Sequence, residues 1–288
     1  MVGTIFFDCD DTLYKNAWAT ASKLNDKFAD YCSTNLGISK DGMMDLYKTY
    51  GTTLCGLIRE NHIAEAQVQD FLAKVHDVPL DDIKPDHSLR ALLESLPQRR
   101  WVFTAATKEH AERCLQRLGI QDLFLGIIAC SSSDMFAKAG YVSKHDPRCF
   151  EVAMQIAGVR PEQAASCMLL DDSVSNLKTA KGKGWQTVLV GLHGRDGSRI
   201  TSPDADFMVH TIHDIRNAIP EMFDGESLFE SMGAIVERTD AKAKVDSKAD
   251  QTDGSERPKR RRVLKPLDSS PERKVLRRVA TPLSPRAP

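Results

Sequence analysis

The sequence has 288 residues, of which 41% are hydrophobic and 27% are charged, and its formal net charge is -1. This composition is ordinary for a soluble globular protein, and the near balance of charge conceals a basic C-terminus, so no electrostatic partner of the whole chain follows. The seven cysteines are scattered, odd in number and without a CxxC pair, which favours reduced thiols over disulfides or zinc ligands. We therefore expect a protein of the cytoplasm, the nucleus or both. No basic segment precedes the N-terminal apolar run, and no apolar run is long enough to span a bilayer, so we expect neither secretion nor membrane insertion.

An apolar run meets three carboxylates close to the N-terminus, in the segment Thr4–Tyr14. The residues Thr4–Phe7 are of β type, and Asp8, Asp10 and Asp11 follow them closely. A buried parallel strand has this apolar character, and ligands gather at the carboxyl ends of such strands. Taken alone, the acids could equally form a solvated turn that caps the next helix. If the segment is a site, one carboxylate can attack a substrate while another handles the proton.

Apolar residues recur at helical spacing from about residue 15 to residue 95, and no segment of this block has a convincing strand pattern. The first predicted helix contains Ala17, Trp18 and Ala21 and ends near Gly37. Four more are predicted around Met43–Tyr50, Thr53–Glu60, Ala64–Val75 and His87–Leu96. The pattern therefore predicts an all-helical unit at residues 15–96.

From residue 97 the pattern changes to strands that alternate with helices, which indicates a parallel α/β sheet. The predicted strands are Trp101–Thr104, Gly126–Cys130, Cys167–Leu170, Thr187–Val190 and Phe207–Val209. The predicted helices between them are Lys108–Leu118, Pro147–Ala157 and Val174–Lys183. The N-terminal strand must belong to the same sheet, so the predicted fold is a Rossmann-like core, residues 1–14 and 97–225, with the helical unit inserted as a cap.

Residues 226–288 are predicted to form a mostly disordered basic tail. Beyond Thr239 the chain is rich in Lys, Asp, Ser and Pro, with almost no aromatic residues. Its basic run Lys259–Arg262 could bind a nuclear import receptor or a polyanion, and Ser270, Thr281 and Ser284 each precede a proline, as in proline-directed phosphorylation sites. The plainer alternative is a solvated terminal extension.

Two polar residues stand at the ends of predicted core segments. Thr104 ends a strand and Ala105 opens the next turn, so the Thr104 hydroxyl and neighbouring N–H groups could bind an anion at a helix N-terminus. Threonine is also a common helix N-cap without any ligand. Lys144 precedes the helix start at Asp146–Pro147 and could neutralise a phosphate or Asp8, although an isolated loop lysine is usually only solvated.

The segment Met168–Ser173 repeats the arrangement of the first strand. Its apolar residues run directly into the adjacent acids Asp171 and Asp172. Helix capping accounts for one acid at a strand end but not for two. Because the carboxyl ends of parallel strands meet at one edge of a sheet, we expect these acids close to Asp8 and Asp10.

Together these residues resemble the four motifs of the haloacid dehalogenase-like hydrolase superfamily, from about Thr4 to Val209. Within it, the sequence is similar to the pyrimidine 5′-nucleotidase branch. The segments that carry this similarity are Phe7–Tyr14, Tyr50–Leu54, Gly56–Leu57, Phe103–Thr104, His110–Ala111, Cys114–Leu115, Leu118–Ile120, Lys144–Phe150 and Asp171–Ser173. The motif set is specific for the superfamily, less so for the branch, and weak for the substrate.

Two positions depart from the branch pattern. Ala105 stands where the branch usually has Asn, which removes a side-chain amide from the phosphate site and could alter turnover or leaving-group preference. His145 stands where the branch usually has Pro, and we expect this change to affect loop geometry only. Because the acids, Thr104 and Lys144 are all present, the pattern predicts an active enzyme.

The resemblance implies Mg²⁺-dependent hydrolysis of a phosphate monoester. Asp8 would attack phosphorus and form an aspartyl-phosphate, while Asp10 would protonate the leaving alkoxide and then activate water. A phosphate dianion repels a carboxylate, so Mg²⁺ and Lys144 must offset the charge. The implied metal ligands are Asp8, the Asp10 carbonyl oxygen and the Asp171/Asp172 pair. The resemblance favours Asp172 as the inner-sphere ligand, whereas the sequence alone leaves the choice open.

The implied phosphate-binding residues are Asp8, Cys9, Asp10, Thr104, Ala105 and Lys144. The cap would exclude water and contact the leaving group, so we expect substrate specificity there. The leading hypothesis is a phosphatase of pyrimidine nucleoside 5′-monophosphates. One alternative keeps the chemistry on another nucleotide, a sugar phosphate or lysophosphatidate, and a second is a nuclear interaction protein that acts through its tail. The oligomeric state is left open.

Overall fold

The computed structural model describes residues 2–223. The predicted tail at residues 226–288, with its basic run and its phosphorylation sites, lies outside the described residues. Within residues 2–223 the chain forms six β-strands and ten α-helices. The strands are β1 (Thr4–Phe7), β2 (Arg99–Thr104), β3 (Ile127–Ala129), β4 (Cys167–Asp171), β5 (Gln186–Val190) and β6 (Phe207–Val209). The predicted α/β fold class is confirmed.

The six strands form one sheet in the order β3-β2-β1-β4-β5-β6. Every neighbouring pair in it is parallel. The direction of strand addition reverses between β1 and β4, and in such sheets the crevice outside the carboxyl ends of these two strands is the usual ligand site. The residues that follow β1 and β4 therefore lie where the fold favours a site.

Nine of the ten helices of residues 2–223 lie in the connections between the strands, and the tenth follows β6. They are α1 (Ala19–Leu36), α2 (Lys40–Tyr50), α3 (Thr53–Arg59), α4 (Val68–Val75), α5 (His87–Glu94), α6 (Lys108–Leu118), α7 (Ser133–Ala139), α8 (Pro147–Ile156), α9 (Val174–Gly182) and α10 (Ile215–Ala218). Polar side chains cap the first turns of six of them: Ser39, Thr52, Asp86, Thr107, Ser132 and Asp146.

The sheet buries both of its faces, as the apolar character of β1 predicts. Ile5 and Phe7 belong to one buried cluster, and Phe6, which points to the other side, belongs to a second. All three side chains have 0% exposure. Such double burial removes the apolar run from water completely, and it accounts for the absence of polar alternation in this strand.

The helices between β1 and β2 divide between two hydrophobic clusters. Residues of α1–α4, such as Cys32, Leu57 and Phe71, form a cluster of their own. Leu89 and Leu93 of α5 instead join the cluster that contains β1 and β4. The predicted cap boundary at residue 96 stays a prediction, but the packing of α5 favours an earlier end of the cap.

Two details differ from the predicted elements. The first helix begins at Ala19, because Ala17 and Trp18 adopt left-handed backbone angles, with φ of 53° and 65°. The helices α7 and α10 have no counterpart among the predicted elements, since their seven and four residues are too few to show a clear period.

Two further findings concern the cysteines and the membrane. All seven cysteines are buried and free, so none forms a disulfide. In the part of the chain that the structure describes, no helix is both long and apolar enough to cross a membrane.

Candidate active site

The acids that follow β1 and β4 meet at the reversal point of the sheet. Phe7 pairs with Leu170 in the register of these strands, and the Asp8 N–H donates to the Leu170 carbonyl at 2.9 Å. Asp171 is the last residue of β4. Asp8, Asp171 and Asp172 each present a carboxylate oxygen, and these three atoms lie within 4.8 Å of one another. The sheet thus brings Asp8 to the adjacent acids Asp171 and Asp172, which are far from it in the sequence.

Lys144 joins two of these carboxylates. Its Nζ lies 2.7 Å from Asp8 Oδ1 and 2.7 Å from Asp171 Oδ2, and its side chain is 1% exposed. Burial alone would lower the pKa of Lys144, but the charges of Asp171 and Asp8 outweigh it and raise the pKa above its ordinary value. Lys144 therefore stays charged and offsets part of the buried negative charge.

Asp171 and Asp172 differ in the hydrogen bonds they already accept. Asp171 is fully buried and accepts from the Ser173 N–H, the Asn176 side-chain amide and Lys144. Among residues 2–223, no group donates a hydrogen bond to the Asp172 carboxylate, and Asp172 lines the adjoining cavity. Burial first, and then the charge of Asp171, raise the pKa of Asp172 well above its ordinary value. Because no described group donates to it, the Asp172 carboxyl has oxygen atoms available for a cation, whose charge would favour loss of its proton.

The three-carboxylate cluster suits a hard divalent cation. Burial raises the pKa of Asp8 to about 7, against the opposing effect of Lys144, and the charge of Asp171 adds to the rise. The negative charge of the cluster is thus only partly balanced within the protein. A divalent cation would lower these pKa values, and carboxylate oxygens are the ligands that Mg²⁺ prefers. The residues present fit Mg²⁺.

Asp10 is held by two side chains to which the sequence patterns assigned no role. The Tyr14 hydroxyl donates to its carboxylate, and His110 Nε2 lies 2.9 Å from Asp10 Oδ1. Burial would raise the pKa of Asp10, but the charge and hydrogen bond of His110 hold it below its ordinary value. Burial would lower the pKa of His110, but Asp10 raises it to about 10. The proton of this pair therefore resides on His110, whose Nε2–H donates to Asp10.

The remaining predicted phosphate-binding residues lie beside these acids with different exposures. Thr104 is 1% exposed, and its hydroxyl accepts from the Ala106 N–H at 3.0 Å, so it organises the turn after β2. Ala105 is exposed and lines the cavity. The Cys9 side chain is buried in the same hydrophobic cluster as Cys114. Its Sγ lies within 4.8 Å of an Asp10 carboxylate oxygen and of Cys114 Sγ.

A cavity of about 470 Å³ adjoins the acids and lies between the sheet edge and the cap helices. Asp10, Asp11 and Asp172 line its inner end, and Arg195 lines it from the segment after β5. Its other walls come mainly from residues 18–76, mostly from apolar side chains such as Trp18, Leu24, Phe28, Met43 and Met44, and also from Ala105 and Ala106. A mostly apolar cavity with a few polar groups is typical of a small-molecule site.

Comparison with known proteins identifies the family. The family model described as haloacid dehalogenase-like hydrolase matches residues 2–184. The chain therefore belongs to the haloacid dehalogenase-like hydrolase family, and the resemblance inferred from its motifs is confirmed at this level.

Among curated relatives, phosphate metabolism protein 8 of Saccharomyces cerevisiae is 32% identical over 197 residues. The match covers 64% of this chain and 60% of the length of that relative. The yeast protein thus has a substantial part that this chain does not match.

Two solved structures illustrate the structural likeness. L-2-haloacid dehalogenase from Xanthobacter autotrophicus is 15% identical, with a TM-score of 0.46, over 75% of this chain and 98% of that one. CbbY from Rhodobacter sphaeroides, in complex with phosphate, is 18% identical, with a TM-score of 0.48, over 75% of this chain and 96% of that one. We take neither a substrate nor a cofactor from these likenesses.

Proposed function

We propose that this hydrolase is a Mg²⁺-dependent phosphatase of small phosphomonoesters, and that pyrimidine nucleoside 5′-monophosphates are its substrates. The observation that carries the proposal is the contact of the buried Lys144 with Asp8 and Asp171, beside Asp172, at the reversal point of the sheet. The name of the yeast relative refers to phosphate metabolism, which agrees with a phosphate substrate.

Asp8 is the proposed nucleophile. Its carboxylate oxygen attacks phosphorus, the bond from phosphorus to the leaving oxygen breaks, and an aspartyl-phosphate forms on Asp8. Lys144 holds the attacking carboxylate in place and offsets its charge. The Thr104 turn and its backbone N–H groups bind the phosphate oxygens. Bound Mg²⁺ would supply positive charge to the phosphate, and Asp8, the Asp10 carbonyl and Asp172 would hold it, with Asp171 as the residue that positions Lys144.

Asp10 is the proposed acid and base. The leaving alkoxide needs a proton, and the buried pair of Asp10 and His110 stores one at His110 Nε2, 2.9 Å from Asp10 Oδ1. Asp10 passes this proton to the leaving oxygen and then removes a proton from the water that attacks the aspartyl-phosphate. The two half-reactions thus return the pair to its starting protonation state.

The experiment is a panel of phosphomonoesters tested with the full-length protein, in Mg²⁺ and in a chelator. We expect phosphate release in Mg²⁺, fastest from uridine and cytidine 5′-monophosphates, and almost none in the chelator. Activity confined to a sugar phosphate or to lysophosphatidate would refute the proposed substrate but keep the chemistry. No phosphate release from any monoester in Mg²⁺ would refute the phosphatase.

A further inference from the structure

The cavity beside the acids contains hydrogen-bond donors that the protein itself does not use. The Arg195 guanidinium and the Asn25 amide both line it. Among residues 2–223 neither side chain has a hydrogen-bond or salt-bridge partner. Donors left open in a mostly apolar cavity are the groups that orient a ligand in small-molecule sites.

Trp18 lies against one of these donors, and two cations lie over its aromatic ring. The guanidinium carbon of Arg195 lies 5.3 Å from the centroid of the Trp18 ring, and Lys15 Nζ lies at the same distance of 5.3 Å. The backbone of Trp18 is in the left-handed region, with φ of 65°, which is rare for a bulky residue. Such a conformation persists only where the surroundings hold it, and it is frequent at ligand sites.

The apolar walls and the hydrogen-bond donors of the cavity together favour one class of leaving group over the others. An acyl chain would use Leu24, Phe28 and Met43 but would make no hydrogen bond with Arg195 or Asn25. A sugar alone would use the donors and leave the apolar walls in contact with water. A planar base with carbonyl oxygens would use both, because its ring face stacks on an aromatic side chain and its edge accepts hydrogen bonds.

We propose that Trp18 and Arg195 determine the specificity of this site and that they recognise a nucleobase on the leaving group. The base takes the place of a cation now over the Trp18 ring and stacks on the indole, and its carbonyl oxygens accept hydrogen bonds from the displaced Arg195 and from Asn25. The proposal rests on the proposed function, because the phosphate of the same molecule must reach Asp8. The two lie in one continuous space, since Asp10 and Asp172 line the same cavity.

The test compares two substrates that differ only in the base, uridine 5′-monophosphate and ribose 5-phosphate. Measured as kcat/KM in Mg²⁺ with the full chain, Trp18→Leu should lower the activity on the nucleotide by about 10- to 100-fold, as loss of base stacking does. Its activity on ribose 5-phosphate should change less than about twofold, because that substrate has no base to stack on the indole. Trp18→Phe should restore most of the loss, because it keeps a ring.

Arg195→Gln should likewise lower kcat/KM for the nucleotide more than kcat/KM for ribose 5-phosphate. Arg199→Gln is the matched control, because Arg199 is exposed on the same segment and does not line the cavity. It should leave both activities unchanged. Equal losses on both substrates in the Trp18 and Arg195 variants would overturn the proposal, since the two residues would then serve only the fold or the balance of charge near Asp11. Preference for lysophosphatidate, with Trp18→Leu at parent activity, would overturn it in favour of an acyl chain.

A binding measurement separates this inference from the proposed function. In the full-length Asp8→Asn protein with Mg²⁺, titration calorimetry should show tighter binding of uridine 5′-monophosphate than of ribose 5-phosphate, and Trp18→Leu should remove the difference. Equal affinities would overturn base recognition even if the enzyme proves to be a phosphatase. A clear preference for the nucleotide would support base recognition even if no monoester is hydrolysed.

Discussion

Lys144 lies between Asp8 and Asp171 with only 1% of its side chain exposed, so each of the three charged groups depends on the others. Removal of one member of a buried ion pair leaves an uncompensated charge in a medium that solvates it poorly. Exposed ion pairs have no such cost, because water replaces the lost partner. The local environment of Lys144 thus decides how much this one side chain matters.

Lys144→Met should lower the free energy of unfolding in chelator by about 3–5 kcal/mol, because Asp8 and Asp171 lose their shared cation. The matched control is Lys183→Met, which breaks the exposed 2.7 Å bridge to Glu151 and should cost about 0–1 kcal/mol. Urea denaturation measures both. Equal losses in the two variants would contradict the importance that we assign to burial.

Asp8→Asn should reduce turnover at least about a thousandfold, because the neutral amide cannot attack phosphorus while its volume hardly changes. The folded state should persist, with a thermal midpoint close to that of the parent. Steady-state phosphate release and a thermal melt measure the two effects. Turnover within tenfold of the parent would exclude Asp8 as the nucleophile.

Asp172→Ala should weaken Mg²⁺ affinity more than substrate binding, since no residue among 2–223 donates a hydrogen bond to its carboxylate. We expect the Mg²⁺ concentration for half-maximal activity to rise at least about tenfold, with a smaller change in KM at saturating metal. Asp134→Ala is a suitable control, because Asp134 is an exposed acid outside the site. A metal titration that superimposes on that of the parent would remove Asp172 from the ligand set.

At the scale of elements, the turn between α2 and α3 contacts the loop that carries Lys144. The Ser143 hydroxyl donates to the Tyr50 carbonyl at 2.9 Å. Gly51, with φ of 80°, lies so close to this loop that an added Cβ would come within 2.6 Å of the His145 ring and would also clash with the Ser143 hydroxyl. The turn between α2 and α3 and the Lys144 loop therefore meet through a glycine that no larger residue can replace without displacement, and His145 is part of this contact.

Gly51→Ala should destabilise the protein and lower activity, because it adds a clash against the Lys144 loop to the strain of a left-handed alanine. Gly37→Ala is the matched control, since Gly37 has a similar φ of 67° but nothing within 4 Å of an added Cβ. The control should lose only about 1 kcal/mol of stability and no activity. If both variants lose the same stability and kcat/KM stays at the parent value in Gly51→Ala, the contact does not support the site.

At the scale of the molecule, every residue to which we assign a catalytic or binding role lies within residues 2–223. The basic run Lys259–Arg262 and the neighbouring Ser-Pro site lie beyond them. We propose that the tail serves localisation, through an import receptor or a polyanion, and that catalysis does not need it.

Truncation after Thr239 should therefore leave kcat/KM and the thermal midpoint at their parent values and should reduce the nuclear fraction of the protein in cells. Replacement of the basic run by glutamines in the full chain is the control that separates charge from length. A large loss of activity on truncation would show that the tail contributes to the folded enzyme. An unchanged nuclear fraction in both variants would remove the localisation role.

Local patterns determined most of the secondary structure. The helix Lys108–Leu118 and the strand Phe207–Val209 have the predicted bounds, because amphipathic spacing, capping residues and short apolar runs act over a few neighbouring positions. The motif acids were also visible, since acids that directly follow apolar strands must lie at the edge of a parallel sheet. The sequence by itself thus determined the family, the class of fold and the sheet edge at which the candidate site lies.

Only the tertiary structure decided which side chains meet there. His110 contacts Asp10 across 100 positions of sequence, and Arg195 reaches the Trp18 ring from the segment after β5. Asp171 and Asp172 look alike in sequence, yet packing fills the hydrogen-bonding capacity of the first and leaves that of the second open. These contacts depend on how whole elements pack against one another, and periodicity along the chain carries no information about that packing.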